Sequence, residues 1–237
     1  MPAPLSTRAE EPCDRVGDGD GGKSHVIVEF FSGIGGMRFA AESWAAAGNG
    51  RKVRVAAAFE ISEQCNKVYA HNFGDAPKTQ SIEHVDAALL DSLGADTWLM
   101  SPPCQPYTSQ GLQKDDADPR ARALLHLARI LPQLAHPPSA ILLENVNNFQ
   151  KSQSHGIWLA ALASVGFTAR EFLLTPAQLG IPNERLRYYC LARRNQEIWG
   201  ADTPARLQGL IPGIEGMRER DPNEQNKAGP GGGAAAR

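Results

Sequence analysis

Short apolar runs and amphipathic segments alternate through the middle of this chain, and that alternation restricts the folds open to it. Residues 26–31, 53–59, 97–100, 140–143, 172–174 and 188–192 read as strands. Between them, residues 37–47, 62–72, 120–131 and 157–165 read as helices. The spacing is clearest in Leu124, Leu127, Ala128 and Leu131. Ser62 can cap the second helix, while Gly48-Asn49-Gly50 and Gly166 close the first and last. Strands followed by helices predict an α/β domain with a mostly parallel sheet. A length of 237 residues, 42% of them hydrophobic, suffices for one such domain with a large core and for part of a second.

Open α/β sheets bind ligands at the carboxyl ends of their strands. Four features fall at that edge: the turn Gly33–Gly36, Glu60, Cys104 and Glu144. Ser32-Gly33-Ile34-Gly35-Gly36 follows the first strand and opens a helix. Its glycines permit positive φ and close approach of a ligand to bare backbone. The helix start favours a negative group such as a carboxylate. The spacing departs from the dinucleotide fingerprint GxGxxG, and the same residues could form a plain turn. Glu60 ends the second strand, where an acid can accept hydrogen bonds from both ribose hydroxyls or merely begin a solvated helix. Together the two features suggest a nucleoside-containing cofactor without a clear phosphate cradle, a description that S-adenosylmethionine meets.

Ser101-Pro102-Pro103-Cys104-Gln105-Pro106-Tyr107 follows the strand Thr97-Trp98-Leu99-Met100. Prolines on both sides of a cysteine make a rigid loop that can present a thiol at a fixed angle. The bland alternative is a small buried residue. Glu144 ends the apolar run Ala140-Ile141-Leu142-Leu143, so partial desolvation would raise its pKa and let it hold or donate a proton; a helix cap or surface ion pair is the alternative. Arg185 and Arg187 alternate just before Tyr188-Tyr189 and would share one face of a strand. Two guanidiniums on one face suit a base carbonyl or a phosphate, and equally an internal salt bridge.

Composition limits the partners. A net charge of −2 gives no global sign of nucleic-acid binding, so any such surface must be local. No apolar run reaches the roughly 18–20 residues that span a bilayer, and residues 1–22 lack the apolar core of a signal peptide. Cys13, Cys65, Cys104 and Cys190 are scattered without CxxC spacing, which argues against a zinc site or a disulfide framework and for a reducing compartment. Residues 1–24 are polar and Gly-rich, and the end of the chain runs into Gly-Pro-Gly-Gly-Gly-Ala-Ala-Ala-Arg. Both are expected to be disordered.

Over residues 25–194 the chain resembles the cytosine-5 methyltransferases. Phe31-Ser32-Gly33-Ile34-Gly35-Gly36 is similar to their cofactor motif and Ser101-Pro102-Pro103-Cys104-Gln105-Pro106 to their nucleophile motif. Glu144-Asn145-Val146 is similar to the acid motif, and Arg185-Leu186-Arg187-Tyr188-Tyr189 to the arginine motif, all in family order. Glu171-Phe172-Leu173-Leu174-Thr175-Pro176 and Leu179-Gly180-Ile181-Pro182-Asn183 resemble the branch that methylates an anticodon-loop cytosine of aspartate tRNA.

The resemblance implies a Rossmann-like S-adenosylmethionine-dependent methyltransferase. Cys104 would add to cytosine carbon 6, Glu144 would protonate ring nitrogen 3, and Arg187, helped by Arg185, would hold the base carbonyl. Phe31, Ser32, Gly33, Ile34, Gly35 and Gly36 would form the cofactor turn, Glu60 would meet the ribose, and Ile61, Ile82 and Pro102 would lie around the adenine. Residues 110–122 would form a loop over the substrate, with Lys114, Arg120 and Arg122 available for phosphates. The implied partner is nucleic acid, tRNA before DNA. The protein is expected as a monomer in the cytoplasm or nucleus, with no metal and no membrane contact. The organisation expected is a disordered segment over 1–24, a catalytic domain over 25–195 and a remnant with a Gly/Ala-rich tail over 196–237. Relative to the family, the target-recognition region and the final helix beside the cofactor are expected to be largely missing. An apolar face should therefore lie exposed where that helix would pack. DNA methylation, and an inactive cofactor- or RNA-binding fragment, are the alternative functions. A different thiol enzyme would need a general base near Cys104 that the sequence does not offer.

Overall fold

The computed structural model describes residues 24–47, 52–107, 118–194, 208–211 and 217–218. The two terminal segments expected to be disordered, Lys114, and most of 196–237 lie outside the described residues. The order of elements is β1 (His25–Phe30), α1 (Gly36–Ala46), β2 (Val53–Phe59), α2 (Glu63–Phe73), α3 (Ala87–Leu93), β3 (Thr97–Met100), α4 (Arg122–Ile130), β4 (Ala140–Val146), α5 (Gln153–Ser164), β5 (Phe167–Leu174) and β6 (Arg187–Arg194), with short 3-10 turns between them. The strands form one sheet in the order β2-β1-β3-β4-β6-β5. Four neighbouring strands, β2, β1, β3 and β4, pair in parallel, and β6 runs antiparallel between β4 and β5. The chain order reverses across β1 and β3, the position where an open sheet forms its ligand crevice.

Burial explains why the strands read so clearly. β1 and β3 are buried on nearly every residue, as expected for a parallel sheet covered on both faces. Trp98, Phe30 and Phe59 pack at the centre, with Phe30 stacked on Phe59 at 5.4 Å and edge-on to Trp98 at 5.0 Å. Trp158, Leu162, Leu124, Leu127 and Tyr188 belong to the same core, and α4 packs against α5.

Several expectations are corrected in detail. β4 does not stop at Leu143. It continues through Val146 because β6 pairs with it residue by residue, Glu144 opposite Tyr189 and Val146 opposite Arg187. β5 begins at Phe167, five residues earlier than its apolar run suggests, since its antiparallel partner imposes strand geometry on the mixed stretch Thr168–Glu171. The helix expected over 120–131 starts as a 3-10 turn, Pro119–Ala121, capped by Asp118, and becomes α-helical only at Arg122. α3 has no counterpart among the helices expected from the sequence, although Asp86 caps it by accepting from the Leu89 N–H at 2.8 Å.

The run read as the first strand also hides an acid. Glu29, 1% exposed, accepts from the Arg38 backbone N–H at 3.1 Å and from the Tyr69 hydroxyl at 2.9 Å. Burial pushes its carboxyl up, against those two hydrogen bonds. The Arg38 guanidinium pairs with Glu42 and Asp75 and lies over the Phe73 ring at 4.4 Å. This network ties β1, α1 and α2 together directly behind the glycine turn.

Helix α1 buries no residue fully; Phe39 is 67% and Trp44 50% exposed, and Ile34 in the preceding turn is also exposed. These side chains form an exposed apolar face at α1.

Candidate functional site

The carboxyl edge of the sheet carries a cavity of about 630 Å³, within the range of small-molecule and cofactor sites. Its wall contains Phe31, Gly33, Glu60, Ile61, Ile82, Pro102, Cys104, Glu144, Arg185 and Arg187, supplied by the loops after β1, β2 and β3, by the 3-10 turn Ile82–His84 ahead of α3, by β4, and by β6 with the segment before it. Residues far apart in the chain thus meet because each closes the same end of a neighbouring strand.

Cys104 leaves β3 through Ser101-Pro102-Pro103. The Ser101 N–H donates to the Phe30 carbonyl at 3.2 Å, the Tyr107 N–H closes a turn onto the Cys104 carbonyl at 2.9 Å, and the Asn145 side-chain amide donates to the Pro102 carbonyl at 3.2 Å. Asn145 is 1% exposed, so this last bond joins β4 to the cysteine loop in the core. In the sequence this contact is signalled only by a polar residue directly after Glu144 at the end of an apolar run. Tyr107 packs edge-on to Phe149 at 5.0 Å, and Phe149 meets Tyr188 at 5.3 Å, which braces the loop against β6.

Glu144 faces the cavity from within β4. Arg187 Nε lies 3.2 Å from Glu144 Oε1, with both side chains mostly buried. Burial raises the Glu144 carboxyl above the usual carboxylate range, and Arg187 and then Arg185 oppose that rise. The arginines are not both on a strand as expected. Arg187 is the first residue of β6, while Arg185 precedes it and is held by its backbone N–H donating to Thr175 Oγ1 at 3.1 Å. Both still line the cavity. Arg120 reaches the same wall. The nearly buried Asp118 clamps its guanidinium at 2.9 and 2.7 Å and, with a smaller contribution from Cys104, holds its pKa above the ordinary value.

At the other end, the glycine turn and Glu60 are linked directly. The Gly33 N–H donates to Glu60 Oε2 at 3.0 Å and the Ser62 N–H to Oε1 at 2.8 Å, leaving each oxygen a further lone pair for a hydroxyl. Gly33 has φ +53° and open space where a side chain would project. Phe31, with φ +56°, holds a left-handed conformation that is rare outside glycine and costs about 1–2 kcal/mol. Ser32 Oγ is buried without a hydrogen-bond partner among the described residues. Ile61, 72% exposed, and the buried Ile82 supply apolar walls. An open glycine cradle, an acid with free lone pairs and apolar flanks fit a nucleoside-bearing group.

Four residues of the expected cofactor turn stand apart from the cavity wall: Ser32, Ile34, Gly35 and Gly36. Ile34 points to solvent. Gly35, at φ +90°, precedes α1, and a Cβ there would overlap the Phe73 ring. Its requirement for glycine comes from the left-handed backbone and from packing against α2. Arg122 also lies outside this wall. No cluster of three or more His, Cys, Asp or Glu side chains able to hold a metal occurs among the described residues.

Known proteins resemble this chain in sequence and in fold. Residues 26–227 match the model of the C-5 cytosine-specific DNA methylase family. A tRNA (cytosine(38)-C(5))-methyltransferase of Spodoptera frugiperda is 39% identical over 213 residues, covering 85% of this chain and 61% of that protein. A DNA (cytosine-5)-methyltransferase of Dictyostelium discoideum is 39% identical over 175 residues, covering 73% of this chain and 45% of its own length. The crystal structure of the S. pombe Dnmt2 methyltransferase superposes with a TM-score of 0.65 at 34% identity, covering 76% of this chain and 53% of that one. The chain therefore spans about half the length of these relatives. With the family model matched over most of its length and the cavity assembled at the expected sheet edge, the chain belongs to the C-5 cytosine-specific DNA methylase family.

Proposed function

We propose that this protein transfers a methyl group from S-adenosylmethionine to carbon 5 of a cytosine in RNA, with tRNA, and aspartate tRNA in particular, as the substrate. The observation that carries this reading is the single cavity in which Cys104, Glu144, Arg185 and Arg187 face the glycine turn and Glu60. The preference for tRNA is supported by the name of the Spodoptera relative.

The chain's own residues would act as follows. Cys104, as thiolate, adds to carbon 6 of the ring. Glu144, kept protonated to higher pH by burial, donates its proton to ring nitrogen 3. This draws the electrons released by the addition and leaves carbon 5 nucleophilic. Arg187 and Arg185 hold the base carbonyl oxygen through charge-assisted hydrogen bonds. Gly33, Glu60, Phe31, Ile61, Ile82 and Pro102 would hold the cofactor, which supplies an electrophilic methyl group when bound. Loss of the carbon 5 proton to solvent water then expels the Cys104 thiolate, and ring nitrogen 3 returns its proton to the Glu144 carboxylate, which restores both the ring and the acid. The cytosine must leave its stack to reach the cavity.

A tritiated-methyl assay on total tRNA and on DNA tests the reading. Incorporation into tRNA is expected, with complete loss in Cys104→Ala and retained cofactor binding in that variant. Full activity of Cys104→Ala sinks the mechanism, and incorporation into DNA alone moves the substrate to the second reading, which the Dictyostelium relative's name supports. No incorporation into either favours the reading as a cofactor- or RNA-binding protein without turnover.

A further inference from the structure

A second cavity, of about 280 Å³, lies beside the first and is lined by Glu83, Arg122, Leu125, His126 and Arg129. Glu83 belongs to both walls, and on the first turn of α4 Ala123 lines the catalytic cavity while Arg122 lines the second. The two cavities are therefore neighbours across one residue and one helical turn. Arg122, His126 and Arg129 stand at i, i+4 and i+7, on one face of α4, and span roughly 10 Å along it. α4 contains no acidic residue. Among the described residues neither Arg122 nor Arg129 is in a salt bridge.

The groove is also built, beyond its composition. An arginine can only donate, so Arg129 Nη2, 2.7 Å from His126 Nδ1, makes that nitrogen the acceptor. The ring proton then sits on Nε2 and is donated to the Val85 carbonyl at 2.7 Å. This relay fixes the Arg129 guanidinium against the backbone that follows Glu83, so less of its rotamer freedom is lost when it meets a ligand. Two permanent positive charges face a single carboxylate, Glu83, on a chain whose net charge is −2. Such a local excess against the average charge is the form a nucleic-acid footprint must take here.

We infer that the α4 face formed by Arg122, His126 and Arg129 is a second contact surface for the phosphodiester backbone of the RNA whose cytosine enters the neighbouring cavity. The inference rests on the RNA reading above and adds to it where the strand runs outside the catalytic cavity. These arginines contact phosphates and carry no base information, so they strengthen binding without altering the chemistry.

The test is Arg122→Gln/Arg129→Gln in the full chain, measured by fluorescence anisotropy against labelled tRNA over a salt series, with methyl transfer recorded separately. Loss of two phosphate contacts is expected to reduce the salt slope by about 1.5 and the affinity by roughly 10–30-fold at 0.1 M salt. Cofactor binding, which belongs to the first cavity, should stay unchanged and reports that the variant is folded. An unaltered salt slope and affinity overturns the inference, as does a wild-type chain that does not bind tRNA. Binding through these arginines without methyl transfer defeats the methylation reading and leaves the groove standing. Methyl transfer with binding unaltered in the variant does the reverse.

Discussion

Glu144 shows how one residue acquires its properties from several elements. A glutamate after an apolar run already suggested desolvation, and the direction of its shift follows from burial in β4. The opposing influence of Arg187, 3.2 Å away, depends on the pairing of β4 with β6 and could not be read from either segment alone. Burial favours the protonated carboxyl, and a nearby guanidinium favours the carboxylate. Arg187→Gln should therefore move the Glu144 titration to still higher pH. Carbon-13 detection of the glutamate side chains would follow this shift, and a downward shift would contradict the arrangement. Cys104 illustrates the limit of local reading: its prolines pointed to a rigid loop, but the bond that secures the loop comes from Asn145, 41 residues later.

At the scale of elements, the glycine turn divides into parts with different duties. Gly33 opens the cavity wall, whereas Gly35 lets α1 start against the Phe73 ring of α2. The sequence marked both glycines without distinguishing them, because the second depends on the packing of α1 on α2. Gly35→Ala is expected to destabilise the fold by about 2–4 kcal/mol, from the left-handed backbone and from overlap with Phe73. Differential scanning calorimetry should show this as a fall in Tm of roughly 5–15 °C. A variant with unchanged Tm would mean that α1 can shift freely. The parallel strands are legible as apolar runs because both faces of β1 and β3 are buried. The start of β5 and the end of β4 are not legible locally, because those residues owe strand geometry to β6 rather than to local propensity.

For the whole molecule, the exposed side of α1 separates stability from interaction. Phe39 is largely exposed and contributes little to the core, so Phe39→Gln should alter stability by no more than about 0.5 kcal/mol in urea unfolding. A larger loss would show that this face is covered in solution. The sequence by itself determined the α/β class, the strand and helix alternation and the residues at the carboxyl edge. Each rests on short-range periodicity and on glycine, proline and acid placement, which act over a few residues. The tertiary structure decided what those residues meet. It placed β6 between β4 and β5, brought Arg187 onto Glu144, tied Asn145 to the cysteine loop, buried Glu29 behind the glycine turn and set Arg122 and Arg129 along a groove beside the cavity. These are contacts between segments tens of residues apart, and only the pairing order of the sheet and the packing of its helices determine them.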